Sequence, residues 1–372
     1  MYKSGIKSLR VVAGILSVIT LFSSCQDRID EQSFFVSPLK LVDDLPTKTL
    51  PTFVDTMDIS PTRVFLWFAG DYMIVEEDKN EGIYSVSDVT RDSLIGLFCE
   101  KGRGDGEPLD GFLIHKENEG KDQKVWFHSV MSRTSFLWNV TQSIAQRKTV
   151  YDRVYPLKYD EEEYGTVLIQ PFPLDDGTIV YRNLRQDGYK DWMIDAPRYD
   201  VFDLQSGERI RLIEPFKQGD SDKITAKHSK GLLNHDADIA PSKDIIAFGM
   251  NRFPIIGILD INSGETKFIR IKDFPNLDKE MSKLYFIAIN CDESHIYLLS
   301  RDGVDTVAQP VSNPFASYLY VVDYDGTLRG KFKVEGSKYL SFALDDGNLY
   351  YFELENYKRY TLPVSSLEPF LR

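Results

Sequence analysis

The chain has 372 residues, 23 of them Phe and 20 Tyr, and a formal charge of −13. Runs of Ala, Leu, Glu and Lys that would favour helix are few, so the aromatic and β-branched content reads as all-β. The acidic balance repels a phosphate polyanion and argues against nucleic acid as a partner. Length alone allows two ordinary domains or one large all-β domain.

The chain opens with Lys3, Lys7 and Arg10, then an apolar run over residues 11–22, then Ser23-Ser24-Cys25. That run is shorter than the ~20 apolar residues of a membrane span and fits the h-region of a signal peptide. Small residues directly before a cysteine resemble a bacterial lipobox, with Phe22 where the commonest pattern has Leu. The resemblance implies a signal peptide over residues 1–24, lipidation of Cys25 and an address in the cell envelope. A plain secretory signal with an incidental cysteine is the alternative. Loss of the leader's three positive charges takes the net charge from −13 to −16, which suits solubility of an exported protein. Residues 25–51 are polar, with Asp27, Asp30, Glu31, Asp43, Asp44, Pro38, Pro46 and Pro51, and read as a tether leaving the membrane.

From residue 52 a tight turn running into an apolar strand recurs six times. Leu344-Asp345-Asp346-Gly347-Asn348-Leu349 and Leu174-Asp175-Asp176-Gly177-Thr178-Ile179 are its clearest copies. The strands after the turn begin at Tyr72, Val125, Ile179, Ile245, Ile296 and Leu349, in steps of 53, 54, 66, 51 and 53 residues. Six such units fill the 320 residues from Phe53 to Arg372, and short strands at this period mark propeller blades rather than solenoid coils.

Each unit divides into four strands. Blade 1 is expected at 63–68, 72–76, 82–87 and 93–100, and blade 3 at 166–172, 178–182, 198–203 and 208–213. Asp, Asn and Gly between strands supply the positive φ that short turns demand. Blade 6 yields only three strands, 341–344, 349–354 and 357–362, before Pro363, which cannot donate to a central ladder. An open blade leaves strand edges that invite aggregation. Residues 52–59 are therefore expected to return as its fourth strand, with 364–371 as the alternative. The reading is one domain over residues 52–372, a six-bladed β-propeller of four-stranded antiparallel blades closed by an N-terminal strand. Cys99 and Cys291 fall in blades that are not neighbours, too far apart for a disulfide.

Two stretches carry a family resemblance. His235-Asp236-Ala237-Asp238-Ile239-Ala240-Pro241-Ser242-Lys243-Asp244, running into Ile245-Ile246-Ala247-Phe248, is similar to the TolB-type repeat, whose Ser-Pro-Asp-Gly-like turn leads into an Ile-Ala-Phe strand. Here the order is Pro241-Ser242, and Asp244 stands in place of Gly. Lys101-Gly102-Arg103-Gly104-Asp105-Gly106-Glu107 resembles the Gly-Arg-Gly-Pro-Gly-Glu turn of blade 1 in TolB-like six-bladed β-propeller lipoproteins of Bacteroidetes, with Asp105 for the Pro. The resemblance implies an exported propeller of unassigned biochemistry, anchored at the outer membrane, and carries no catalytic residues over. Acidic residues soon after the cysteine, Asp27, Asp30 and Glu31, resemble a signal that directs lipoproteins of that phylum to the cell surface.

In a propeller, connections between blades share one face with loops between second and third strands. The remaining turns share the other face. The long connections, 101–108, 183–197, 217–231 and 301–317, all belong to the first face, and insertions on one face of a repeat array mark binding. Arg185, Tyr189 and Trp192 are a planar cation and two aromatics suited to stacking on a sugar or a peptide, or else they pack their loop onto its blade. Arg103 between glycines offers an anion site or a plain turn between blades. His235 and Asp236 begin an inner strand, where they face the channel or satisfy buried backbone groups.

Catalytic signatures are missing from the sequence. There is no Gly-x-Ser-x-Gly elbow, and His115, His128, His228, His235 and His295 show no paired metal spacing. No catalytic residue, metal or cofactor is assigned. The first reading is a non-catalytic envelope lipoprotein binding a protein, peptide or glycan on its long-loop face, with the lipid anchor as its only membrane contact. The others are a polysaccharide lyase or hydrolase using channel carboxylates, and a subunit of a TolB-like envelope assembly.

Overall fold

The Asp-Asp-Gly hairpin behaves as its residues demand. Strand Tyr339–Asp345 turns into Asn348–Glu353 through Asp346 at φ 45° and Gly347 at φ 68°, the positive-φ pair that matches a two-residue turn to right-handed strand twist. A computed structural model describes residues 29–371 apart from 52–54, 59–65, 80, 92, 103–106, 112–113, 118–120, 160–166, 185–195, 218, 220–222, 224–230, 278–282, 306–316, 335–338 and 354–357.

Six antiparallel sheets follow one another along the chain. Blade 1 is Leu66–Ala69, Tyr72–Lys79, Gly82–Asp88 and Ser93–Phe98, and blade 2 is Ile114–Glu117, Lys124–Ser129, Thr134–Asn139 and Tyr151–Pro156. Blade 3 is Leu168–Pro173, Thr178–Asn183, Arg198–Asp203 and Arg209–Ile213, and blade 4 is His235–Ile239, Ile245–Met250, Ile255–Asp260 and Thr266–Ile271. Blade 5 is Lys283–Cys291, His295–Asp305, Ser317–Asp323 and Leu328–Val334. Blade 6 takes Tyr339–Asp345, Asn348–Glu353 and Lys358–Pro363 from the C-terminal end.

Closure comes from the other end of the chain. The N-terminal strands are β1 (Leu39–Val42), β2 (Lys48–Thr49) and β3 (Asp55–Asp58). Strand β3 pairs antiparallel with Lys358–Pro363, from Thr361 opposite Asp55 to Lys358 opposite Asp58, and is the fourth strand of blade 6. Residues after Pro363 form two 3₁₀ turns, Val364–Ser366 and Glu368–Phe370, so the alternative closure by 364–371 is not used.

Apolar faces of consecutive blades pack on each other, and six buried clusters bridge the six junctions in turn. At the first junction Tyr84 of blade 1 stacks on Trp138 of blade 2 with ring centroids 5.7 Å apart. Where blade 6 meets blade 1 the buried cluster among described residues is small: Phe68, Met73, Val75 and Ala343. There Phe68 stacks on Tyr350 at 4.4 Å, and the Arg359 guanidinium sits 5.6 and 5.2 Å from the two ring centres. Cys99 and Cys291 are both buried free thiols. Blade 2 carries one insertion, helix α1 (Val140–Gln146), started by Asn139, whose side chain accepts from the Gln142 amide at 2.9 Å.

The expected tether needs correcting from Ile29 onward. Strand β1 adds in parallel to the outer strand of blade 4, with Leu39 opposite Phe268 and Val42 opposite Ile271. Strand β2 does the same on blade 5, with Lys48 opposite Phe332. Residues 29–50 are thus a belt over two outer edges. Three of the acids that made this stretch look solvated are partnered by the propeller. Glu31 pairs with buried Arg270 at 2.5 Å, Asp43 with Lys272 at 2.9 Å, and Asp44 with Lys331 at 2.6 Å. Phe34 and Phe35 are fully buried, packing against Phe253, Phe216 and Phe268 with centroids 4.6 to 6.0 Å apart.

Candidate functional site

The innermost strands leave one edge of each blade unpaired toward the central channel, and side chains from neighbouring blades answer that edge. Gln170 of blade 3 donates to the Ala237 carbonyl of blade 4 at 2.8 Å. Asp238 of blade 4 accepts from the Cys291 amide of blade 5 at 2.8 Å. Asn290 of blade 5 donates to the Phe342 carbonyl at 3.1 Å and accepts from the Leu344 amide of blade 6 at 3.2 Å. In this way backbone groups at the inner edges of blades 4, 5 and 6 find partners without a fifth strand.

Between these strands lies a cavity of about 480 Å³, to which all six blades contribute. Its rim includes Pro241, Lys243, Asp292, Glu293, Asp346 and Gly347, which lie at the turns from first to second strand. The cavity therefore opens on the face of short turns, opposite the face that the insertions indicated.

Two lysines cross this mouth. Lys116 of blade 2 pairs with Asp345 of blade 6, skipping blade 1. Lys243 at the blade 4 turn lies 2.7 Å from Asp175 of blade 3 and 3.6 Å from Glu117 of blade 2. The second oxygen of Glu117 accepts from the Trp126 indole at 2.9 Å. Lys243 holds φ 57°, the left-handed region a turn residue between Ser242 and Asp244 must occupy here.

Burial sets the protonation states along the wall. Desolvation pushes the Asp238 carboxyl up to about 7, against the pull of its bonds from the Cys291 and Ile239 amides. Asp236 is raised by burial too, with Arg182 and Asn251 opposing. His115 drops to about 4 through burial, opposed by Glu117 and reinforced by Lys243. It presents a neutral imidazole to the cavity at neutral pH. Among the described residues no group of three or more His, Cys, Asp or Glu is arranged to hold a metal.

The sequence candidates fare differently. Asp236 lines the cavity. His235 does not: it is 3 % exposed, its Nε2 is 2.8 Å from the Tyr199 hydroxyl and its Nδ1 3.0 Å from the Leu233 carbonyl. Its ring packs on Phe248 at 4.7 Å. Alternation along the strand sends His235, Ala237 and Ile239 into the core and Asp236 and Asp238 to the wall, so His235 is a core residue rather than a ligand contact. Cys25, Arg103, Arg185, Tyr189 and Trp192 lie outside the described residues. Lys116, Lys243, Asp238 and Asp345 went unrecognised as site residues, because in sequence they read as hairpin and strand-end residues.

His235 supplies an acid-side prediction. Burial and Arg182 hold its folded pKa at about 3, below its ordinary 6.5. Above pH ~6.5 it is neutral folded or unfolded; as pH falls toward about 3 only the unfolded chain gains the proton, and stability is lost across that window. His235→Gln is expected to lose on the order of 2 kcal/mol less than the parent between about pH 7 and about pH 4. Urea unfolding at each pH checks this, and identical losses contradict it.

No family model matches the chain, and no curated protein does. Among solved structures, a member of the DUF4221 family from Bacteroides vulgatus is 13 % identical over 90 % of this chain and 94 % of its own, with a TM-score of 0.52. Hydrazine synthase from Kuenenia stuttgartiensis is 10 % identical over 84 % of this chain and 79 % of its own, with a TM-score of 0.49. A putative exported protein from Bacteroides fragilis is 10 % identical over 88 % of this chain and 86 % of its own, at 0.46. The first likeness supports the fold. The fold and cavity define a six-bladed β-propeller closed by its own N-terminal strand, with a central cavity that reaches the face of first-to-second-strand turns.

Proposed function

We propose that this protein is a non-catalytic binding propeller of the bacterial envelope, TolB-like in kind and anchored through a lipid on Cys25. It receives a basic side chain or peptide segment of a partner protein at the channel mouth. One observation carries this reading. Among the described residues the cavity wall holds six acidic side chains, Asp236, Asp238, Asp292, Glu293, Asp345 and Asp346, against two ammonium groups, Lys116 and Lys243. Converging carboxylates in a concave, partly desolvated site favour a cation over an anion.

The test is binding of charge-varied peptides and of glycans to the chain from residue 26. Basic peptides are expected to bind, and Glu293→Gln with Asp346→Asn to weaken them about tenfold, the value of a charge-assisted hydrogen bond. If the mouth variants bind unchanged while deletion of 185–195 abolishes binding, the long-loop face is the site instead.

A second reading is favoured by Asp238 alone. A carboxyl titrating at about 7 in a cavity wall suits a general acid acting on a glycan. Polysaccharide turnover that disappears in Asp238→Asn supports it.

A further inference from the structure

The belt settles which way an anchored propeller faces. We infer that the bilayer lies against blades 3 and 4 on the face of interblade connections, leaving the channel mouth pointing outward. This rests on the lipid anchoring proposed above.

Ile29 is 2 % exposed and belongs to one buried cluster with Phe34, Phe35, Leu232, Leu233, Phe253 and Leu277. Two residues on, the Glu31 carboxylate accepts from the Leu277 amide at 2.6 Å and from Arg270 Nε at 2.5 Å. Arg270 also donates to the carbonyls of Phe274 at 3.2 Å and Pro275 at 3.3 Å. Leu232 and Leu233 precede the first strand of blade 4, Phe253 lies between its second and third strands, and 274–277 lead from blade 4 to blade 5. Glu31, held by Arg270 and the Leu277 amide, and Phe34, packed on Phe253, both lie at this face of interblade connections, and Ile29 stands two residues before Glu31 in the same buried cluster as Phe34.

Only residues 26–28 separate Cys25 from Ile29. Four steps of fully extended chain reach at most ~14 Å. A six-residue blade strand alone spans ~20 Å, so the anchor cannot be carried past the strands to the other face. Acyl chains on Cys25 therefore enter the membrane beside this edge of blades 3 and 4. The mouth formed by Lys243, Glu293 and Asp346 lies at the far end of the strands.

The experiment uses the full chain, matured with its lipid, in phosphatidylethanolamine–phosphatidylglycerol vesicles carrying a headgroup quencher. Fluorophores are placed at Lys217→Cys, exposed just beyond the last strand of blade 3, or at Gln205→Cys, exposed in the opposite turn of the same blade. Cys99 and Cys291 are buried and do not compete for label. Quenching is expected to be several-fold stronger at position 217 than at 205. Inserting about 20 Gly/Ser residues after Asp27, a coil of roughly 25 Å, is expected to erase the difference. Equal or reversed quenching on protein that mass spectrometry shows acylated overturns the orientation alone, as does a ratio unchanged by the insertion. Unacylated Cys25 overturns the anchoring and the orientation together.

Discussion

A chain that begins at residue 59 is expected not to give a stable monomeric propeller. It lacks β3, so Lys358–Pro363 becomes an open edge of blade 6, beside the junction with blade 1. It also lacks β1 and β2, which exposes the outer edges of blades 4 and 5, long strands that invite pairing with other copies. Burial lost with Ile29, Phe34 and Phe35 is worth about 1.5–3 kcal/mol per side chain. Against a domain stability of ~5–15 kcal/mol, aggregation or a partly unfolded product is the predicted result by size exclusion and circular dichroism. A chain beginning at residue 51 keeps β3 and is expected to fold, with a lower urea midpoint. A cooperative monomer of undiminished stability from residue 59 would show that the ring does not need its N-terminal strand.

The second large effect is expected at Glu31. This carboxylate is buried against Arg270, which keeps its remaining bonds to the Asn276 side chain at 2.9 Å and to nearby carbonyls. Glu31→Ala removes the anion and leaves a buried guanidinium uncompensated, at a cost of about 3–5 kcal/mol. Replacing both partners, Glu31→Leu with Arg270→Met, removes both charges and is expected to recover most of the loss. Urea unfolding of the two single variants and the double variant measures the coupling. A single Glu31→Ala loss under ~1 kcal/mol, the size of an exposed pair, would mean that the belt is not held in this way.

Much of this architecture could be read from the chain. The acidic turn before Asn348 and before Thr178 marks hairpins because Asp and Gly tolerate positive φ, and six copies at one period specify six blades. Pro363 exposed the missing fourth strand, and the predicted return of residues 52–59 agrees with β3. The belt was not legible because short parallel strands have no turn of their own, and acids destined for buried partners look like solvated ones. The adjacent pair Phe34-Phe35 in a polar stretch was the one available signal. Nor was the mouth legible. Lys116 meets Asp345 across 229 residues, a contact that no local pattern announces. Insertions drew attention to the opposite face, because length is visible in sequence and channel geometry is not.

Hydrogen exchange on the intact chain tests the central claim most directly. If residues 29–50 are part of the propeller, amides of Leu39–Val42 will be protected to within about tenfold of those in Thr266–Ile271, the strand beside them, since paired elements open together. Complete exchange of 39–42 within seconds, while the blade 4 strands stay protected, would make this segment a loose leader after all.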